Sequence, residues 1–236
     1  MKKSFGILGA VLLSSTTLLG VGQAFADESV VTSADTPISA QLEVKPFDPE
    51  KDKPSVPTPD EPGKEEGDKP TDIKGLLGIA YVPKTLSTGK VQLEKAGSQS
   101  FDLSAGENVT KKFNVGVQDL TRKKSQHWSL KAQLSWAGDT NNYMAGTSIT
   151  GENGAVSENK AGTLSSLNDG EVTTTATDLV IKQGSEVEVM KAVEGKTMNG
   201  VYNYQFSSPK LVIPNVENVP SGDYMGNINW NLSDVE

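Results

Sequence analysis

The chain has 236 residues, one histidine, no cysteine and a formal net charge of −8, from 22 basic and 30 acidic side chains. An acidic balance argues against bulk attraction to nucleic acid or to an anionic membrane surface. The lack of cysteine excludes a disulfide framework, a thiol nucleophile, a Cys-based metal site and a lipid-modified cysteine, so stability must come from a hydrophobic core.

Residues 1–26 read as a secretory signal: Lys2 and Lys3, an apolar run from Phe5 to Val21, then Ala24-Phe25-Ala26 as a small-x-small cleavage site. Without those two lysines the balance is 20 basic to 30 acidic, or −10. No membrane span is expected once the signal is removed. Residues 27–75 read as a disordered linker. Eight of the twelve prolines fall between positions 37 and 70, among Asp, Glu, Lys and Gly. Such a stretch buries too little apolar surface to offset its ordering entropy. It either spaces the folded part from something or simply precedes it.

Residues 76–236 form the expected domain. Ile79-Ala-Tyr-Val-Pro83 and Lys90-Val-Gln-Leu93 are short apolar pieces. Lys112-Phe-Asn-Val-Gly-Val117 alternates, with Phe113, Val115 and Val117 on one face, and leads through a polar turn into a second alternating run. That run places Trp128, Leu130, Ala132, Leu134 and Trp136 opposite Ser129, Lys131, Gln133 and Ser135. The two are expected to pair as a hairpin or as close antiparallel neighbours. The Gly-, Asn-, Ser- and Thr-rich tract at 137–178 reads mostly as surface loop, with strand fragments at 147–150 and 171–174. Further strands follow at 179–181, 186–189, 201–206 and 211–213, the last ended by Pro214. The final run alternates again, with Tyr224, Ile228, Trp230 and Leu232 facing away from Asn227, Asn229 and Asn231. Short strands punctuated by Gly and Pro, with no helical stripe, predict an all-β fold: a β-sandwich of short antiparallel strands, with a closed barrel second.

Two Trp-x-Leu triplets, Trp128-Ser129-Leu130 and Trp230-Asn231-Leu232, thus sit on two predicted strands about a hundred residues apart. With Ala192-Val-Glu-Gly-Lys-Thr-Met-Asn-Gly200, Leu211-Val-Ile-Pro214, a Tyr six residues before the last Trp and a signal in front, they resemble the small, single-domain WxL surface proteins of Gram-positive bacteria. The resemblance covers residues 76–236. One feature departs from it: the family carries an Asp and an Arg two apart before the first motif, whereas Asp119 and Arg122 are three apart. The resemblance implies a secreted protein at the cell wall, held non-covalently, with peptidoglycan or another wall polymer as ligand and both motifs required. It also implies companion surface proteins as partners and, in some members, contact with host matrix proteins. The rival function is that of a surface interaction protein or adhesin whose domain chiefly binds such a protein.

The residues themselves offer two candidate sites. The motif tryptophans and leucines most simply fill a sandwich core, where full burial contributes about 1.5–3 kcal/mol each; the other reading is an exposed aromatic platform for sugar faces. Under either reading the motifs bring two strands together and shape the surface formed by Ser129 and Asn231. Arg122, Lys123, Lys124 and His127 make a basic cluster before the first motif, either simply solvated or a contact for carboxylates or phosphates of the wall. No catalytic constellation, metal site or cofactor motif is expected. The single histidine is not set in a Ser–His arrangement, and Asp139-Thr-Asn-Asn-Tyr143 lacks the central Gly of a calcium loop. The chain is therefore expected to bind rather than to catalyse.

Overall fold

Twelve strands and one short 3-10 turn make up the regular structure of residues 34–124, 126–167 and 170–233, the residues described by the computed structural model. The signal segment at 1–26 lies outside them. The chain divides into two units, residues 1–42 and 43–236. Of the first, residues 34–42 are described: they have no regular secondary structure and are exposed, with Ile38 and Leu42 open to solvent.

The second unit holds two antiparallel sheets. One contains β1 (Asp68–Pro70), β2 (Leu77–Pro83), β4 (Lys112–Asp119), β11 (Gly200–Ile213), β6 (Ser148–Lys160) and β7 (Thr163–Ser165) in that order. In the same sheet β3 (Gln99–Asp102) pairs with β11, and β9 (Leu179–Lys182) pairs with β6. The other runs β12 (Met225–Ser233), β5 (Ser129–Ala137), β10 (Val187–Ala192), β8 (Val172–Thr173). Phe113, Val115 and Val117 of β4 and Tyr202, Tyr204 and Phe206 of β11 share one apolar core with Leu130, Ala132 and Leu134 of β5 and Val189 and Met190 of β10. The expected all-β architecture of antiparallel strands is the one observed, and the alternation read in β5 and β12 matches their burial, whereas β4 is buried at nearly every position.

Three local expectations change. β4 and β5 are not a hairpin, because β4 lies in the first sheet and β5 in the second. Residues 120–124 and 126–128 lie between them, with a turn at Arg122, whose φ is +53°. The polar tract yields the 13-residue β6, because its glycines lie beneath large side chains of β11. A Cβ on Gly154 would meet the Ala176 carbonyl at 1.9 Å and the Tyr204 hydroxyl at 2.5 Å. The two pieces at 201–206 and 211–213 are one 14-residue strand, carried past Pro209 by bulges in its pairing with β6. Residues 90–93 form no strand.

Residues 55–70, read from composition as linker, lie against the sheet. The Thr58 amide donates to the Gly162 carbonyl (2.9 Å), Asn159 Nδ2 donates to the Ser55 carbonyl (2.7 Å), and β1 pairs with the end of β2. Their proline content suits an extended strap without intrinsic secondary structure. What composition concealed is that β4, and β11 around Asn203, are buried on both faces. Asn114, Gln118 and Asn203 are buried opposite the apolar core. They tolerate this because each is hydrogen-bonded: Asn203 Nδ2 donates to Asn114 Oδ1 (3.0 Å), Tyr81 Oη donates to Asn203 Oδ1 (3.0 Å), and Gln118 Nε2 donates to the Gly75 carbonyl (3.3 Å).

Candidate functional site

The two motif strands are direct neighbours. β12 pairs with β5 over nine residues without a break, placing Leu232 opposite Leu130, Trp230 opposite Ala132 and Ile228 opposite Leu134. Cross-strand partners share a face, so both motifs project their Trp and Leu to the inner side of the second sheet. Trp128 and Trp230 are four positions apart in this register, roughly 13 Å at about 3.3 Å per residue. The expectation that the motifs bring their strands together is met, but the two indoles do different work.

Trp128 is completely buried. Its Nε1 donates to Asp119 Oδ2 (3.0 Å), and its ring packs on Tyr202 with centroids 6.0 Å apart and planes at 44°. Its carbonyl accepts from the Ala192 amide (2.9 Å), which extends the pairing to β10. Asp119 is itself fully buried, and its other oxygen accepts from the Thr121 amide (3.0 Å) and hydroxyl (2.6 Å). A buried carboxylate costs little only when its lone pairs are filled in this way. The last residue of β4 thus clamps the first motif of β5 and joins the two sheets. Asp119 went unrecognised as the indole's partner in the sequence, where the one available signal was an acidic residue at a strand end nine positions before Trp128.

Trp230 is only half-buried, because β12 is the edge of its sheet and has a strand on one side only. The expectation that it fills the core is met in part: it packs against the core, as do Ile228 and Leu232, yet it also lines an open groove of about 570 Å³. Opposite lie Thr71, Ile73, Leu77 and Ile79. Asn229 and Asn231 line the groove as well. Their side chains are tied to the outer face, Asn229 Nδ2 to Ser135 Oγ (2.8 Å) and Asn231 Nδ2 to Glu186 Oε1 (2.9 Å), so what they bring to the groove is the strand's own edge. On that outer face Ser129 Oγ donates to Glu188 Oε2 (3.1 Å), Lys131 pairs with Glu186 at 3.6 Å, and Ser233 Oγ reaches the Ser129 carbonyl (3.3 Å).

The basic cluster lies elsewhere. Arg122, Lys123, Lys124 and His127 are all exposed along the crossover, and none of them lines the groove. Arg122 Nε donates to Asn199 Oδ1 (3.3 Å), its amide to the Met198 carbonyl (2.9 Å), and Lys124 bridges to Thr197. Lys123 and Lys124 enter no ion pair among the described residues.

A second cleft, about 350 Å³, lies beneath the strap and is lined by Pro57, Asp60, Asp68, Lys112, Asn114 and Gln205 among others. Burial raises the Asp68 carboxyl to about 6, against the Asn114 amide and Nδ2, which donate to its two oxygens at 2.9 and 2.8 Å. Burial also pushes the Tyr202 phenol up to about 12. Among the described residues no group of three or more His, Asp or Glu is placed to hold a metal ion, and no helix is long and apolar enough to cross a membrane.

Fold and site together define an all-β domain whose two Trp-x-Leu strands pair, one indole sealed in the core and the other beside an open groove. The chain belongs to the WxL domain surface cell wall-binding family, whose model matches residues 25–235. It is therefore a surface protein of the cell-wall-binding kind. No curated protein and no solved structure matches it.

Proposed function

We propose that this domain holds the protein on the wall by contacts alone, with peptidoglycan as the polymer, and that the groove beside Trp230 is the main contact. The observation that carries this reading is the half-buried indole on an edge strand, flanked by aliphatic side chains and by Thr71. An aromatic face beside polar groups supplies area and orientation together, as ligand sites commonly do. The role is binding without turnover: the one histidine, His127, sits exposed on the crossover, away from the groove. Arg122, Lys123 and Lys124 add a weaker, salt-sensitive attraction for wall carboxylates or phosphates.

Sedimentation with purified, protein-free peptidoglycan tests the proposal. The full chain is expected to co-sediment, and Trp230→Ala to bind about tenfold more weakly or worse, the loss of about 1.4 kcal/mol or more. Sedimentation only when a companion surface protein or a host matrix protein is added would replace this reading with the interaction-protein one.

A further inference from the structure

We infer that β12 takes the peptide portion of the wall polymer as an added strand along its free edge. This rests on the wall-binding reading above and specifies which part of the polymer the groove holds. Among the described residues β12 is paired only with β5, and no loop backbone donates to it or accepts from it. An edge strand carries a row of outward N–H and C=O groups at alternate residues, and proteins usually guard such edges with charge, proline or a bulge. β12 has none of these guards. Its sequence, Met-Gly-Asn-Ile-Asn-Trp-Asn-Leu-Ser, is uncharged and proline-free, and its register with β5 never shifts.

The shape of the site favours a short extended peptide over a sugar chain. A peptide, even one with the mixed chirality and side-chain-linked glutamate of a wall stem, presents backbone N–H and C=O groups in pairs that a strand edge can meet, which a run of hexose rings does not. The groove volume of about 570 Å³ is that of a small-ligand site. Its apolar lining of Ile73, Leu77, Ile79 and Trp230 suits the small methyl side chains of an alanine-rich peptide. On the wall facing β12, Asp72 and Lys74 form an exposed pair at 3.1 Å. They offer both signs to a ligand that carries free carboxylate and amine groups, as wall stem peptides do.

The full chain would be tested against intact peptidoglycan, peptidoglycan stripped of its peptides by an amidase, and a soluble stem peptide with and without backbone N-methylation. Binding to the stripped glycan is expected to fall about tenfold or more. The soluble peptide should shift the amide resonances of 225–233 and protect alternate ones from exchange, and N-methylation should abolish both effects. A double Asp72→Ala, Lys74→Ala variant changes only exposed side chains and should weaken peptide binding severalfold without altering the melting temperature. Full-strength binding to stripped glycan would overturn the inference and leave wall attachment standing; no binding to intact peptidoglycan would remove both. Resonance shifts confined to residues outside β12, or shifts in β12 that follow protein concentration alone, would also overturn it, the latter in favour of a second copy as occupant.

Discussion

The two motif tryptophans occupy adjacent strands of one sheet and the same face of it, yet Trp128 is sealed and Trp230 is not. The difference is positional. Trp128 stands before a strand flanked by β10 and β12, with Asp119 and Tyr202 closing over its ring. Trp230 stands on an edge strand, and beyond it is a groove. One three-residue pattern thus occupies two settings, the first holding two sheets together and the second lining an open groove. A motif found by spacing alone would give both the same role.

Separating stability from binding is the way to break this comparison. Trp128→Ala has the largest expected effect, a loss of roughly 3–5 kcal/mol in urea unfolding, with wall binding falling only as the folded fraction falls. Trp230→Ala should do the reverse, costing at most about 1–2 kcal/mol for half-burial while removing binding. If both variants unfold alike, the division of labour is wrong. Next in size is Asp119→Ala, which orphans the indole N–H and costs roughly 1–3 kcal/mol. Asp119→Asn keeps one acceptor and should recover part of that loss, measured the same way.

The other sheet supplies a contrast in pH. Asp68 is raised to about 6 in the folded protein from an ordinary value of 3.8, because burial disfavours its charge. The folded state then holds the proton more tightly than the unfolded state. Its contribution is fully present below about 4 and is lost as pH rises through about 6, on the order of 1–3 kcal/mol in total. Melting temperature should therefore climb as pH drops from 7 to 5, and this climb should flatten in Asp68→Asn; an unchanged slope would clear the residue. The smallest effect belongs to the crossover. Neutralising Arg122, Lys123 and Lys124 together should weaken wall binding by about two- to fivefold at low salt and by nearly nothing at high salt. Binding that is indifferent to ionic strength would remove that cluster from the site.

Much of this fold could be read in the sequence, because period-two alternation is a local signal. The faces of β4, β5 and β12 follow from Phe113, Val115, Val117, from Trp128 to Trp136, and from Ile228 to Leu232. What failed was long-range or two-sided. β6 is a long strand despite its polar sequence because it pairs with β11, and its Gly154 sits against the Ala176 carbonyl and the Tyr204 hydroxyl, a closeness no local pattern records. The strap at 55–70 looked unstructured because its hydrogen-bond partners, Gly162 and Asn159, lie about a hundred residues further on. The site was legible as two triplets and a basic cluster. The groove was not, because its far wall is built from Thr71, Ile73 and Leu77, at a boundary where composition suggested that order was only beginning.

The pairing of β5 with β12 also sets the timetable of folding. Leu130 waits for Leu232, and closing a loop of about a hundred residues is slow compared with any hairpin. Until that partner has been synthesised, β5 exposes a naked flank and the second sheet stays unfinished. A chain whose second sheet closes last is open to sticking to its neighbours for as long as that strand is delayed.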